Sequence, residues 1–306
     1  MRLSGYLPLL AAMAALAQPT DSSVNVRNVI GLENIKPGAT GKITIQNGAV
    51  QFEGQAKFAA ASIDDIFIGT ETTQAGGKTG KVAKAAAIAA PYDSGAALSL
   101  LLRTKVDMLT IAYRDASGAR HAAILALPKG QAEAVRTQLV AAGAHTNPSA
   151  ETVVKESKPV PQTAPKKGNP VGPNAAAIQI EPVETGDVLI PAEFRLAIYE
   201  RLIERVSATG KFQKVFRSGD RAAESVPNLV TLHTTVQKFK EGSQMRREIT
   251  TVLGATKVDV SAVVTARNGE TLLARDVNGK VRFFGENLRA TNDLAKRIAK
   301  VLRENF

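Results

Sequence analysis

The stretch NPSAETVVKESKPVPQTAPKKGNPVGP, residues 147–173, decides how the rest of the chain is read. Six prolines, Pro148, Pro159, Pro161, Pro165, Pro170 and Pro173, alternate there with Lys, Gly and Ser, and apolar periodicity vanishes. Proline fixes φ and favours extended, solvated backbone, so residues 147–174 read as a semi-stiff linker, with Lys166 and Lys167 as solvated charges. The linker divides a chain of 306 residues into two parts, 28–146 and 175–306, each of a size that one hydrophobic core serves.

Upstream, apolar and polar residues alternate over 42–46, 50–52, 57–59 and 63–68, with turn residues Asn47-Gly48 and Glu53-Gly54 between them. Period-two alternation bounded by such turns predicts a meander of short strands. Two further strands are expected over 106–113 and 121–127, joined at Asp115-Ala116-Ser117-Gly118. A helix over 131–142 follows, with Ala132, Val135, Leu139 and Ala142 at helical spacing.

Downstream, a strand over 176–182 precedes a helix over 191–209, in which Phe194, Ile198, Leu202 and Val206 form one apolar stripe. Pro191 at its start and Gly210 past its end fit the usual helix boundaries. Strands are then expected over 212–217, 229–239, 258–266 and 271–277, the last continuing over 281–284 after a bend at Asn278-Gly279. A final helix carries Leu294, Ile298, Val301 and Leu302 inward. The fold class expected is therefore α+β: antiparallel strands closed by a helix, then a mixed or antiparallel sheet with two helices on one face.

Strands followed by one terminal helix are the element order of a pleckstrin-homology-like barrel. On Ile63-Asp64-Asp65-Ile66, Leu109-Thr110-Ile111, Ala123-Ile124-Leu125 and the helix after them, the first part resembles PH or GRAM-like domains. The second part carries Phe194-Arg195-Leu196, the run Gly210-Lys211-Phe212-Gln213-Lys214-Val215, and Met245-Arg246-Arg247-Glu248. With Val258-Asp259-Val260 and Asn268-Gly269-Glu270-Thr271-Leu272, it resembles the bacterial domain of unknown function 4410. That family is similar in architecture to the amino-terminal domain of TolB and to curli-secretion lipoproteins. The resemblance implies envelope residence and no particular reaction.

The amino terminus points the same way. Arg2, an apolar run over 7–16 and Ala15-Leu16-Ala17 before Gln18 read as a cleaved secretory signal, residues 1–17. The run is shorter than the roughly 20 residues that span a bilayer. With 0 cysteines there are no disulfides, thiolate metal sites or cysteine nucleophiles, and a lipoprotein anchor is excluded, although relatives of this kind are often lipoproteins. A periplasmic or secreted protein is expected.

Composition sets further bounds. Hydrophobic residues at 44% and charged residues at 22% are near globular averages, which excludes general disorder and a polytopic membrane protein. A net charge of +11 suits anionic partners, and export turns that reading away from nucleic acid towards anionic lipid or an envelope protein.

Catalytic patterns are missing from the sequence. His121, His145 and His233 have no metal-ligand spacing, no Gly-x-Ser-x-Gly occurs, and adjacent Asp64 and Asp65 would face opposite sides of a strand. Gly77-Lys78-Thr79 ends like a phosphate loop, but Thr72 stands where that motif needs glycine, so no nucleotide is expected. No cofactor, metal or catalytic residue is assigned; His233 brought together with Asp259 or Glu248 in a cleft would be the arrangement to reverse this.

Residues 78–102 interrupt the strand pattern. Lys78, Lys81 and Lys84 precede an apolar arm, Pro91 to Gly95 breaks it, and a second arm carries Leu98, Leu100 and Leu101. These six residues are the candidate contact for an anionic lipid surface or a protein partner, against the plainer reading that both arms complete the core. In the last helix Arg289, Lys296, Arg297, Lys300 and Arg303 form a basic face that reads as solvated. The expected function is a non-catalytic exported envelope protein acting through protein–protein interaction, the alternative being peripheral lipid binding through 78–102.

Overall fold

The computed structural model describes residues 22–74, 103–146, 175–242, 255–281 and 288–306. The signal segment, the insertion 78–102, the linker 147–174 and the stretch 245–248 lie outside the described residues.

The first part is a seven-stranded sheet of β1 (Ser22–Ile30), β2 (Thr40–Gln46), β3 (Ala49–Phe52), β4 (Ala56–Ala59), β5 (Ile63–Gln74), β6 (Arg103–Arg114) and β7 (Arg120–Pro128). Its order is β4-β3-β2-β1-β7-β6-β5, with every neighbouring pair antiparallel. The Asn47-Gly48 and Glu53-Gly54 turns form as expected, with positive φ at all four residues. Helix α1 (Ala132–Ala141) buries Ala132, Val135 and Leu139 against Ile43, Phe52, Ile63, Leu109, Ile111 and Leu125.

A closed barrel is not found. β4 and β5, the two ends of the strand order, do not pair. β4 has only 4 residues, and a 3-10 turn (Ala60–Ser62) separates it from β5. Side chains close the gap instead, with Phe58 of β4 stacked on Tyr113 of β6 at 4.2 Å, while the amide of His145 donates to the Ile63 carbonyl.

β1 was not legible as a strand, although Val24 and Val26 alternate with polar neighbours in it. It is central to the sheet, pairing β2 on one side and β7 on the other.

The second part is a five-stranded mixed sheet, order β12-β11-β10-β8-β9, built from β8 (Ala177–Ile180), β9 (Lys214–Arg217), β10 (Leu229–Lys240), β11 (Thr256–Ala266) and β12 (Thr271–Val281). β8 runs parallel to both neighbours and the other pairs are antiparallel. Helices α2 (Ala192–Ser207) and α3 (Arg289–Asn305) share one face, where Ile198, Leu202, Leu294 and Ile298 meet Ile178, Leu232, Val260 and Val264. β12 runs unbroken through Asn278-Gly279. Gly279 does not turn the chain; it lets α3 approach, because a Cβ there would run into the Ala290 carbonyl and the Leu294 side chain.

The largest departure from expectation is α2. A single apolar stripe would pack on one sheet, yet the helix buries Phe194, Leu196, Ala197, Ile198, Tyr199, Glu200, Leu202 and Val206, which point to both sides. Phe194 and Ala197 pack with Val29, Ile30, Met108, Ile124 and Ala126 of the seven-stranded sheet, and Leu196 with Phe67, Ala112 and Ala122. α2 is thus sandwiched between the two sheets, each fully buried aliphatic or aromatic side chain contributing about 1.5–3 kcal/mol.

Candidate functional site

Two places combine polar chemistry with shape: the seam between the two parts, and a groove on the helix-free face of the five-stranded sheet.

The seam starts where β1 runs out. β1 ends at Ile30, level with Ile124, so the first residues of β7 lose that ladder partner. The second part supplies substitutes. The Ala122 amide donates to Glu200 Oε1 at 2.8 Å, the Tyr199 hydroxyl and Arg217 Nη1 both donate to the Arg120 carbonyl at 3.2 Å, and the Arg120 amide donates to the Ser218 carbonyl at 2.9 Å. Side chains of α2 and the end of β9 complete a backbone ladder begun by another sheet, as buried peptide groups require.

Glu200 is 3% exposed and is held by a bidentate pair, Arg217 Nη1 to Oε1 at 2.7 Å and Nη2 to Oε2 at 2.9 Å. The fork geometry satisfies both carboxylate oxygens at once, which a lysine could not do. Burial alone would lower the Arg217 pKa, but the Glu200 carboxylate outweighs it and holds the guanidinium above its usual value. Burial, opposed by Arg217, pushes the Tyr199 hydroxyl up to about 12, so it stays a donor across the physiological range while accepting from the Ser218 amide at 3.0 Å.

The β6–β7 turn seats on the same boundary. Asp115 Oδ1 accepts from Ser117 N, Ser117 Oγ and Ala119 N at 2.7–2.9 Å, and its Oδ2 lies 3.1 Å from His121 Nε2. Burial works to raise the Asp115 pKa, and the hydrogen bonds from Ser117, His121 and Ala119 more than reverse it, leaving the carboxyl below its ordinary range. Arg221 reaches across to the Ala116 carbonyl at 2.7 Å. Gly118 and Gly219, both at positive φ, let the two backbones touch, since a Cβ on either would collide with the other's carbonyl oxygen.

The groove lies on the opposite side of the five-stranded sheet from the helices, with a volume of about 440 Å³. Gln179, Thr231, His233 and Thr265 form its floor, the Gly219 to Glu224 stretch one wall, and Ala266, Arg267 and Gly269 the other. Arg267 Nη2 donates to the Ala223 and Glu224 carbonyls at 3.2 and 2.9 Å, tying the 3-10 turn (Arg221–Ser225) over the sheet. His233 Nε2 sits 3.3 Å from Thr265 Oγ1. The alternation of β10 and β11 explains the lining: Val230, Leu232, Val260 and Val264 face the helices, so Thr231, His233 and Thr265 face out.

The expected residues distribute as follows. Lys78, Lys81, Lys84, Leu98, Leu100 and Leu101 lie outside the described residues. His121, the first residue of the strand expected over 121–127, is 1% exposed and stacked on Tyr113 at 5.1 Å. His233 lines the groove, but Asp259 pairs with Lys238 further along the sheet and binds Lys257 Nζ at 2.8 Å, outside the groove lining; Glu248 lies outside the described residues. Asp64 is paired with Arg114 at 3.0 Å. Glu200, Tyr199 and Arg217 went unnoticed in the sequence. The available signal was Leu196 and Tyr199 off the main stripe of α2, marking a helix apolar on two sides.

Among the described residues no group of three or more His, Cys, Asp or Glu is placed to hold a metal ion, and no helix is long and apolar enough to cross a membrane.

No family model matches the chain. No curated protein matches it either. Among solved structures, a PelC dodecamer from Paraburkholderia phytofirmans aligns at 10% identity over 44% of this chain and 92% of its own, with a TM-score of 0.33. A protein described as a neuraminyllactose-binding hemagglutinin homolog from Helicobacter pylori aligns at 12% identity, 46% and 88% coverage and a TM-score of 0.26. A protein described as a lipoprotein from Caulobacter crescentus aligns at 14% identity, 40% and 85% coverage and a TM-score of 0.22.

Proposed function

We propose that this chain is a non-catalytic protein of the bacterial envelope, exported by residues 1–17 and acting by docking to another envelope protein. In this reading the first part is a PH-like module and the second a relative of the domain of unknown function 4410. The observation that carries the docking reading is the open groove on the helix-free face, where Gln179, Thr231, His233 and Thr265 offer donors and acceptors to a partner. The charged groups of the seam are engaged with one another and with backbone, so they are spoken for structurally. Sheet-edge docking is disfavoured at β12, because Asp293 accepts from the Lys280 amide and the Arg275 side chain folds back on the Ala274 carbonyl, guarding the edge.

Two measurements test the proposal. Cell fractionation should find the chain outside the cytoplasm with its amino terminus at Gln18, and an uncut cytosolic chain would refute export. Cross-linking in envelope extract should capture a protein partner with the wild type and lose it with His233→Ala plus Gln179→Ala, and equal capture by both would move the docking surface elsewhere.

A further inference from the structure

On α3, opposite the groove, the sequence places charge with a regularity that packing does not require. The helix holds five cations, Arg289, Lys296, Arg297, Lys300 and Arg303, against two acids, Asp293 and Glu304, a net of +3 in 17 residues of a chain whose total is +11. At about 100° per residue all five cations fall within an arc of roughly 120°, and at about 1.5 Å per residue they form a ridge on the order of 21 Å long. The buried residues Ala290, Leu294, Ala295, Ile298, Ala299 and Leu302 occupy the other side. Both acids lie inside the arc, between Lys300 and Arg297, and pair with those two cations, Asp293 with Arg297 at 3.1 Å and Glu304 with Lys300 at 3.7 Å. At the other margin Arg205 of α2, itself 3.7 Å from Glu204, donates through Nε to Asn292 Oδ1 at 3.0 Å.

We propose that this ridge is a docking surface for an anionic phospholipid bilayer, seating the exposed side of α3 on the membrane and leaving the groove free on the far side of the sheet. Charge complementarity selects an anionic partner, and shape selects a plane. The ridge is the convex side of a helix with no cleft to clasp a flexible polyanion, while a straight row of cations meets a flat surface along its whole length. No large apolar side chain stands among the five cations, so binding is electrostatic, peripheral and salt-sensitive. This inference does not depend on the groove or on residues 78–102.

The test is co-sedimentation of the full chain with vesicles of phosphatidylglycerol in phosphatidylcholine, at low and high salt, beside pure phosphatidylcholine vesicles. Binding is expected to the anionic vesicles alone and to disappear in high salt. The triple variant Lys296→Gln, Lys300→Gln, Arg303→Gln should weaken it on the order of a hundredfold, at about fivefold per cation near an anionic surface. A matched variant, Lys57→Gln, Lys129→Gln, Lys211→Gln, removes the same charge from exposed sites elsewhere and should weaken it far less. Equal loss in both variants would reduce the effect to net charge and overturn the proposal. So would salt-resistant binding, loss on deleting 82–102 with α3 intact, or capture by soluble dextran sulfate without vesicle binding.

Discussion

The seam and the groove use similar side chains to opposite ends. In the seam, Glu200 and Tyr199 are buried and Arg217 and Ser218 half-buried against β7, and each meets a partner of matching polarity. In the groove, Gln179, Thr231, His233 and Thr265 stand on a sheet face roofed only by the 3-10 turn at Arg221–Ser225, where water reaches beside the bond between His233 and Thr265. What separates them is closure to water: the buried Glu200 and Tyr199 must be paired or cost several kcal/mol, whereas half-buried groups along an open groove can exchange water for a ligand. The seam therefore binds the chain to itself, and the groove is the place proposed for a partner.

That contrast breaks most readily at Glu200. Glu200→Ala leaves the Arg217 charge without its carboxylate and the Ala122 amide without its acceptor, and urea melts should show a loss of about 3–5 kcal/mol. A loss as small as that of a surface substitution would mean the seam is wet and the two parts are independent. Replacing both members, Glu200→Gln with Arg217→Met, removes the uncompensated charge, so the double variant should be more stable than Glu200→Ala by about 1–3 kcal/mol. Tyr199→Phe strips one donor from the Arg120 carbonyl and the acceptor from the Ser218 amide, and should cost about 1–2 kcal/mol in the same assay.

A subtler change sharpens the comparison through pH. Asp115 titrates below its unfolded value, so its carboxylate contributes stability above the unfolded pKa, and that contribution is lost as pH falls towards the folded one. Asp115→Asn should then be less stable than the wild type at neutral pH, with the gap closing in acid; a gap independent of pH would remove the charged hydrogen bonds as its cause. The smallest effect belongs to the groove, where His233→Ala should shift stability by no more than about 0.5 kcal/mol. A large destabilisation there would mark the groove as structural rather than as a docking site.

Much of this architecture was written locally. The turn at Asn47-Gly48, the hairpin at Asp115 to Gly118, the helical spacing in α1, α2 and α3, and the alternation of β10 and β11 are each set by residues a few positions apart. β12 was misread at Asn278-Gly279 because glycine serves two physical purposes, a turn or a close approach, and only the position of Ala290 and Leu294 tells them apart. The groove was half legible. His233 stood out as a strand histidine, but its neighbours Asp220, Glu224 and Arg267 come from separate elements, and Asp259 turned out to face Lys257 instead.

By itself the sequence determined most of the strands and helices, β1 excepted, the cysteine-free chemistry and the basic ridge of α3, all of which depend on local spacing and composition. Tertiary structure alone decided that the seven-stranded sheet stays open, that α2 is shared between two sheets, and that Glu200 and Arg217 finish a ladder for β7. The reason is that burial and pairing are properties of two surfaces meeting. Glu200 and Ala122 stand 78 positions apart, and no spacing rule along the chain reaches that far.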